Sequence, residues 1–367
     1  MGDFVTVTII IKRPRPEVGR TLRSVVLNVA LALLMPLLFA VDVATGTYKL
    51  PIAWVYEALI NAVVPIFKLP TDATLVVLYL RLPEAVSAII LGASLASAGA
   101  VLQSVLRNYL ASTYTLGVSA AAGFGAALAI VLGFGGFVIK YYVPVITSPY
   151  LIIPMAFLFS SLAALMVYAL AYLKGATPSV IILAGVAVMF MFSMGTSMLQ
   201  YFAGNPDATH AIAMWMLGSL ENVRLSYLPY MALSLLPIIY YLVVSAKIDA
   251  IGLGDDVAHS LGVNVRGLRL TLILLTAFQA AAVVSFVGIV GFVDLVIPNI
   301  SRLIVGNNNA RLITTSTIMG ADVTLAADIV SRVMVPPYVI PIGIILSLIG
   351  APYLLLMVIT RGGKYGP

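Results

Sequence analysis

Three aspartates, Asp294, Asp322 and Asp328, lie inside stretches otherwise built from apolar residues. A charged side chain at the centre of a bilayer costs roughly 2.5–3.5 kcal/mol on insertion scales, so each needs a partner, a pathway or a proton. Asp328 and Arg332 are spaced i, i+4 and are expected to pair along one helix face. Asp294 and Asp322 have no basic partner in the surrounding sequence. Two readings follow for them. Either they line a pathway and meet a cationic or hydrogen-bonding substrate, or they hydrogen-bond to neighbouring helices, one of them protonated.

A second constellation is the short polar stretch Gly252 to Val265, GLGDDVAHSLGVNV, set between two long apolar segments. Leu253, Val257 and Leu261 fall at i, i+4 and i+8, one apolar stripe on a short helix. Asp255 and Asp256 occupy its first turn, where the helix dipole favours negative charge, and Gly262 can end it. A small helix with one apolar edge at a membrane surface is either a knob for a cytosolic partner or an ordinary interfacial loop helix.

Other chemistry is missing. There is no cysteine, which excludes disulfides and thiolate sites, and His210 and His259 are the only histidines. No GxxxxGK[ST], GxSxG or HExxH occurs, so the chain is not expected to be an enzyme or to bind a metal or cofactor itself.

The elements that must position these residues are set by composition. Of 367 residues 62% are hydrophobic and 9% charged, with a mean hydropathy of +1.10. Soluble domains carry about 25% charged residues, so the expected class is an all-α integral membrane protein. Apolar runs long enough to span, at about 20 residues each, give ten candidates. They are 24–45, 81–107, 113–134, 150–172, 179–202, 228–246, 267–287, 288–304, 312–333 and 337–360, the long run 267–304 being divided at Gly288 and Gly291. With ten spans and a cytoplasmic N-terminus, 14 of the 20 basic residues fall inside, which obeys the positive-inside rule. Both termini are then cytoplasmic, and the net charge of +6 has a membrane explanation that does not call for nucleic acid. Residues 1–23 read as a basic tail and 24–367 as one transmembrane unit, with an apolar external stretch, Pro51 to Leu69, along the membrane surface.

Spans 2–5 and 7–10 read as two inverted halves, each with a glycine-interrupted opening, at Gly117 to Gly125 and at Gly288 to Gly291. Such breaks point to a transport site between repeats, or simply to close helix contacts. In span 2, Gly92, Ala96 and Ala100 recur every four residues beside Ala93 and Ser97, a face for close approach to another helix.

Several stretches together resemble the permease subunits of iron–siderophore, haem and vitamin B12 ABC importers (type II). They are Arg81-Leu82-Pro83, GASLASAGAVLQ from Gly92 to Gln103, and Asn108-Tyr109-Leu110-Ala111 with Leu116-Gly117-Val118-Ser119. Further along come Trp215 to Leu220, LGDDVAHSLGVNV, GIVGFVDLVIPNISRL from Gly288 to Leu303, and PIG…LIGAP from Pro341 to Pro352. In order, they cover about 81 to 352, most of the chain.

The resemblance implies a multi-pass subunit of the cell membrane with about ten helices, acting as a homodimer surrounded by lipid. Two cytoplasmic ATPase subunits, which hold ATP and Mg, would dock on the helices near 252–265, where Leu253, Asp255, Asp256, Val257, Leu261 and Gly262 are the candidate ATPase-coupling residues. An extracytoplasmic binding protein would deliver an iron chelate, haem, corrinoid, oxyanion or similar substrate. Arg81, Glu84 and Arg332 are the candidate docking residues for it. Asp294, Asp322 and Asn299 are candidate pathway residues. The family often has arginine where Glu84 stands, proline at Tyr109, histidine at Asn299, glycine at Asp294 and a small or apolar residue at Asp322. A proton- or sodium-driven secondary transporter is the competing class, favoured by the two aspartates and the inverted halves.

Overall fold

The computed structural model describes residues 16–133 and 149–361, apart from 47, 49 and 63. Expectations for Lys12, Arg13, Arg15, Lys49, Lys140 and Lys364 lie outside the described residues. The described chain is helical throughout. In order come α1 (Pro16–Ala44), α2 (Ile52–Asn61), α3 (Thr71–Leu75), α4 (Leu82–Val105), α5 (Val118–Gly133), α6 (Pro149–Leu173) and α7 (Pro178–Phe202). Next are α8 (Pro206–Met216), α9 (Leu228–Ala232), α10 (Leu236–Val243), α11 (Ser245–Gly252) and α12 (Asp255–Ser260). The chain closes with α13 (Val265–Val287), α14 (Val293–Val305), α15 (Asn309–Val333) and α16 (Ile342–Arg361). A π-helical turn, Val76–Arg81, joins α3 to α4, so that Thr71–Val105 runs as one continuous helical segment.

Nine of the ten expected spans each coincide with one helix, while 228–246 is met by α9, a 3-10 turn at Leu233–Leu235, α10 and the start of α11. Among the described residues seven helical segments are long and apolar enough to cross a membrane. Three are shorter than the runs suggested. The 16 residues of α5 reach only about 24 Å at 1.5 Å per residue, against a hydrocarbon core of about 30 Å. The expected span 288–304 is a helix only from Val293, and α16 begins at Ile342 rather than 337. Glycine at a strained backbone position is the reason for the first two. Gly117 has φ +79° ahead of α5, Gly288 has φ +85° after α13, and Phe292 is left-handed at φ +70° before α14. The helical ladder cannot run through these residues, and non-helical backbone at membrane depth survives where protein or an aqueous cavity covers it.

α4 lies at the centre, buried along nearly its whole length, and its most extensive neighbour is α15. The small-residue face makes that contact possible: a Cβ on Gly92 would overlap the Gly320 carbonyl, and one on Gly320 would overlap Gly92 and Ala96. Farther along α4, Gly99 lets the backbone of Asp294 approach equally closely. Thr324 strengthens the seam by donating its hydroxyl to the Ala88 carbonyl at 2.6 Å. α1 packs on the other side of α15 and leaves Leu33 and Leu37 exposed on its outer face.

Gly320→Val should force α4 and α15 apart. Overpacking typically costs about 1–3 kcal/mol. The expected outcome is a lower midpoint of thermal unfolding in detergent, whereas Gly175→Ala, which meets open space though at φ +90°, should lose less.

Candidate functional site

The helix ends sort the charges as the basic-residue bias requires. Arg81, Glu84, Asp42, Asp328 and Arg332 gather at one end of the bundle, and Arg107, Asp255, Arg269 and Arg302 lie towards the other.

Between them a cavity of about 860 Å³ opens where the two glycine breaks meet. Its wall is formed by Ser112, Tyr114 and Thr115 ahead of α5, Met216 and Leu217 after α8, Ile289 to Leu295, and the inner face of α16 around Ser347 and Leu348. Apolar side chains dominate, hydroxyls supply most of the polarity, and Asp294 is the one charged residue among those lining it. The carboxylate of Asp294 is already committed. Its Oδ2 accepts from the Thr113 backbone N–H at 2.6 Å and from the Thr113 hydroxyl at 2.7 Å.

Asn299 has a similar role one turn on, donating its amide to Tyr109 O at 2.9 Å and Leu295 O at 2.8 Å. Gln103 of α4 donates to Leu295 O at 3.1 Å and accepts from Arg302 Nη2 at 3.2 Å. Arg302 also sits 4.7 Å from the centre of the Tyr109 ring. The loop between α4 and α5 is thereby laced onto α14 along its length. Asp294 and Asn299 hold the wall of the cavity in place.

Asp322 is elsewhere. It does not line the cavity and is 4% exposed, with no hydrogen-bond partner for either carboxylate oxygen among the described residues. Met319 and Thr315 share its helix face, at i−3 and i−7. Met319 meets the Ser301 hydroxyl of α14, and Thr315 donates to Asn28 Oδ1 of α1 at 2.8 Å. Asp322 therefore points into the seam between α1, α14 and α15, away from α4.

Arg81, Glu84 and Arg332 are brought together, and two acidic residues join them. Arg332 is 6% exposed and lies between Glu84 Oε2 at 3.1 Å, Asp42 Oδ1 at 3.5 Å and Asp328, with which it forms the expected i, i+4 pair. It also donates to Asp42 O at 2.9 Å. Arg81 reaches Glu84 at 3.8 Å and lies against Gly46, where a Cβ would strike its guanidinium. Asp42, fully buried at the end of α1, was not anticipated from the sequence, because its partners lie on other helices.

At the opposite end, the stretch 252–265 forms α12 between two glycines with positive φ, Gly254 at +125° and Gly262 at +78°. Leu253, Val257 and Leu261 are 72%, 43% and 65% exposed, so the apolar stripe faces outward with little cover from the described residues. Asp256 is exposed beside it. Asp255 turns inward instead. Its carboxylate accepts a two-toothed hydrogen bond from Arg269, at 2.8 and 3.0 Å, and lies 3.2 Å from Arg107. The Arg269 hydrogen bonds, the largest influence, outweigh partial desolvation and hold the Asp255 carboxyl below its ordinary value. Its contribution to stability is thus present at neutral pH and lost as the pH falls through that depressed value.

Arg107, Arg269, Gln103 and Thr113 were not singled out from sequence. Arg107 and Arg269 had served there only as markers of sidedness. Next to this end a second cavity, of about 440 Å³, is bordered by Gln103, Arg107, Asp249, Leu253, Arg302 and Asn307 to Asn309.

Comparison with known proteins adds an independent line. Residues 33–360 match the model of the FecCD transport family. A protein of Methanocaldococcus jannaschii described as an ABC transporter permease is 37% identical, over 93% of this chain and 97% of its own length. The Fe(3+)-citrate import system permease of Bacillus subtilis is 36% identical, over 75% of this chain and 79% of its own. The hemin transport system permease of Yersinia pestis is 31% identical, over 77% and 83%. A solved structure described as an inward-facing conformation of a metal-chelate type ABC transporter superposes with a TM-score of 0.77 at 28% identity, covering 91% of this chain and 98% of that one.

Two substitutions separate cost from support here. Asp322→Leu should raise the unfolding midpoint in detergent, since an unsatisfied buried polar group costs about 1–3 kcal/mol. Arg332→Ala leaves Asp42, Glu84 and Asp328 without their shared cation and should destabilise by about 3–5 kcal/mol, read as loss of the monodisperse peak on gel filtration.

Proposed function

The chain belongs to the FecCD transport family, and from that premise we propose that it forms the membrane pathway of a binding-protein-dependent importer for a metal chelate. It is a multi-pass permease of the cell membrane, and its family works with ATPase and substrate-binding components. An iron chelate such as ferric citrate or haem is the substrate class that its relatives' names support. The 860 Å³ cavity agrees with a bulky ligand, and its wall of apolar and hydroxyl groups, with Asp294 spent on Thr113, offers no cationic clamp for a small oxyanion.

The exposed stripe of Leu253, Val257 and Leu261 carries the reading. Three large apolar side chains, Val257 on the six-residue α12 and Leu253 and Leu261 just beyond the ends of α11 and α12, flanked by charge, suit insertion into a soluble ATPase subunit. ATP and Mg would be held by that subunit, two copies of which would serve a homodimer of this chain. α16, which walls the open cavity, is where the second copy would complete it. Alternating access would then follow from nucleotide-dependent shifts between inward-open and outward-open populations. Arg81, Glu84 and Arg332 mark the external end where a binding protein would deliver substrate; the burial of Arg332 makes Arg81 and its surroundings the more accessible part. An ion-driven secondary transporter is not favoured, since Asp294 is hydrogen-bonded within the chain and Asp322 lies off the cavity.

The test is affinity purification of the tagged chain in mild detergent, with its companions identified. A stoichiometric ATPase is expected. Val257→Asp should cut its recovery about tenfold or more, since 1.4 kcal/mol of lost interface energy is a factor of ten. No ATPase in either preparation would overturn the proposal.

A further inference from the structure

The largest fully buried side chain in the described structure is Arg269, near the start of α13 and 2% exposed. A guanidinium carries five N–H donors and cannot shed its charge, so burial there requires a built set of acceptors. Its Nε donates to Val105 O, the last residue of α4, at 3.4 Å. Its Nη1 donates to Ala176 O, in the turn between α6 and α7, at 3.1 Å. Both carbonyls lie at or just beyond helix C-termini, where orphan acceptors and the negative end of the helix dipole favour a cation. The remaining edge of the fork grips Asp255 of α12 through both carboxylate oxygens.

One side chain therefore ties α12 to the ends of α4, the α6–α7 turn and α13. Elsewhere α12 is joined through glycine at Gly254 and Gly262, positions with positive φ that side-chain-bearing residues resist. Its inward contacts beyond the ion pair are made by the buried Ala258 and by packing against α11. A push on Val257 has a charged link to follow, because Asp255 leaves the same short helix and turns inward; Leu261, the residue that ends α12, shares that link. From Val105 the connection continues up α4 to Gly99, whose backbone touches that of Asp294 in the cavity wall.

We propose that the Asp255–Arg269 pair is the positioning link that carries movement of the docked ATPase into the membrane helices. The inference rests on the importer reading and names the residues through which coupling passes at that surface. Arg269 reaches neither nucleotide nor substrate; it acts by keeping α12 in register with three helix ends at once. Lysine at this position preserves the charge but supplies a point donor in place of a planar fork, so it cannot cap Val105 and Ala176 while holding both oxygens of Asp255.

The absence of cysteine makes a substrate-independent test available. Ser347→Cys places one thiol on the cavity wall, and its labelling by a polar maleimide is followed in the complex with its ATPase, with and without ATP, Mg and vanadate. In the Ser347→Cys parent, nucleotide trapping should change the labelling rate. Adding Arg269→Lys should leave the ATPase bound while shrinking that change at least about fivefold, the lower end of typical coupling factors. Asp255→Asn, which removes the charge from the other side, should shrink it as well. An unaltered nucleotide response in both variants overturns the link. So does loss of the ATPase from both, which would make the pair part of the docking surface rather than a transmitter. A parent that recruits no ATPase overturns the importer reading itself.

Discussion

A polar group inside a bilayer has no water to fall back on, and this chain is organised around that constraint. Several buried polar groups draw their acceptors or donors from distant parts of the chain. Thr113 serves Asp294 from 181 residues away, and Asp42 serves Arg332 from 290 residues away. These bonds are worth more than their number suggests, because breaking one partner exposes the other to a medium that cannot solvate it. They also specify which helices must be neighbours. Apolar contact alone would not, since lipid tails are as good a neighbour as leucine.

The same constraint explains what could be read from the residues in order. Helix positions were legible because a span must be a long apolar run, and the division at Gly288 was legible because glycine is the residue that tolerates φ +85°. The Asp328–Arg332 pair was legible because i, i+4 spacing is local. The outward stripe of α12 was legible for the same reason. Asp42 was not, because nothing near it in sequence is its partner. Nor was the inward turn of Asp255. Two adjacent aspartates at a helix start look equivalent to a dipole argument, and the choice between them is made by Arg269, beyond the turn at Gly262. Asp294 stood out as an aspartate within an apolar run, but its partner did not. Its carboxylate is bonded to Thr113, and its place in the cavity wall comes from the backbone break that precedes it.

Fixed and adjustable contacts are segregated. The α4–α15 seam is backbone against backbone at Gly92 and Gly320, a geometry with no slack, and it is reinforced by Thr324. The α4–α14 contact repeats that closeness at Gly99. These three helices therefore behave as one body. Around them the connecting elements are joined through glycine, at Gly117, Gly254, Gly262 and Gly288. The alternating access proposed above would call for such a division, close-packed helices with turns between them.

Asp322 sits within this rigid part and so tests the idea that every buried polar group has been provided for. The helix face that carries it meets α1 and α14 through Thr315 and Met319, and no cation from α1 between Arg23 and the end of the helix could reach its level. Burying a polar group without a hydrogen bond costs free energy, so the Asp322 carboxyl weakens the seam in which it lies. α1, which shields it, is the most peripheral helix of the bundle, with much of its surface turned outward. Asp322 is therefore a cost carried by this seam with no described hydrogen-bond partner to offset it, unlike the charged groups gathered around Arg332 and Arg269.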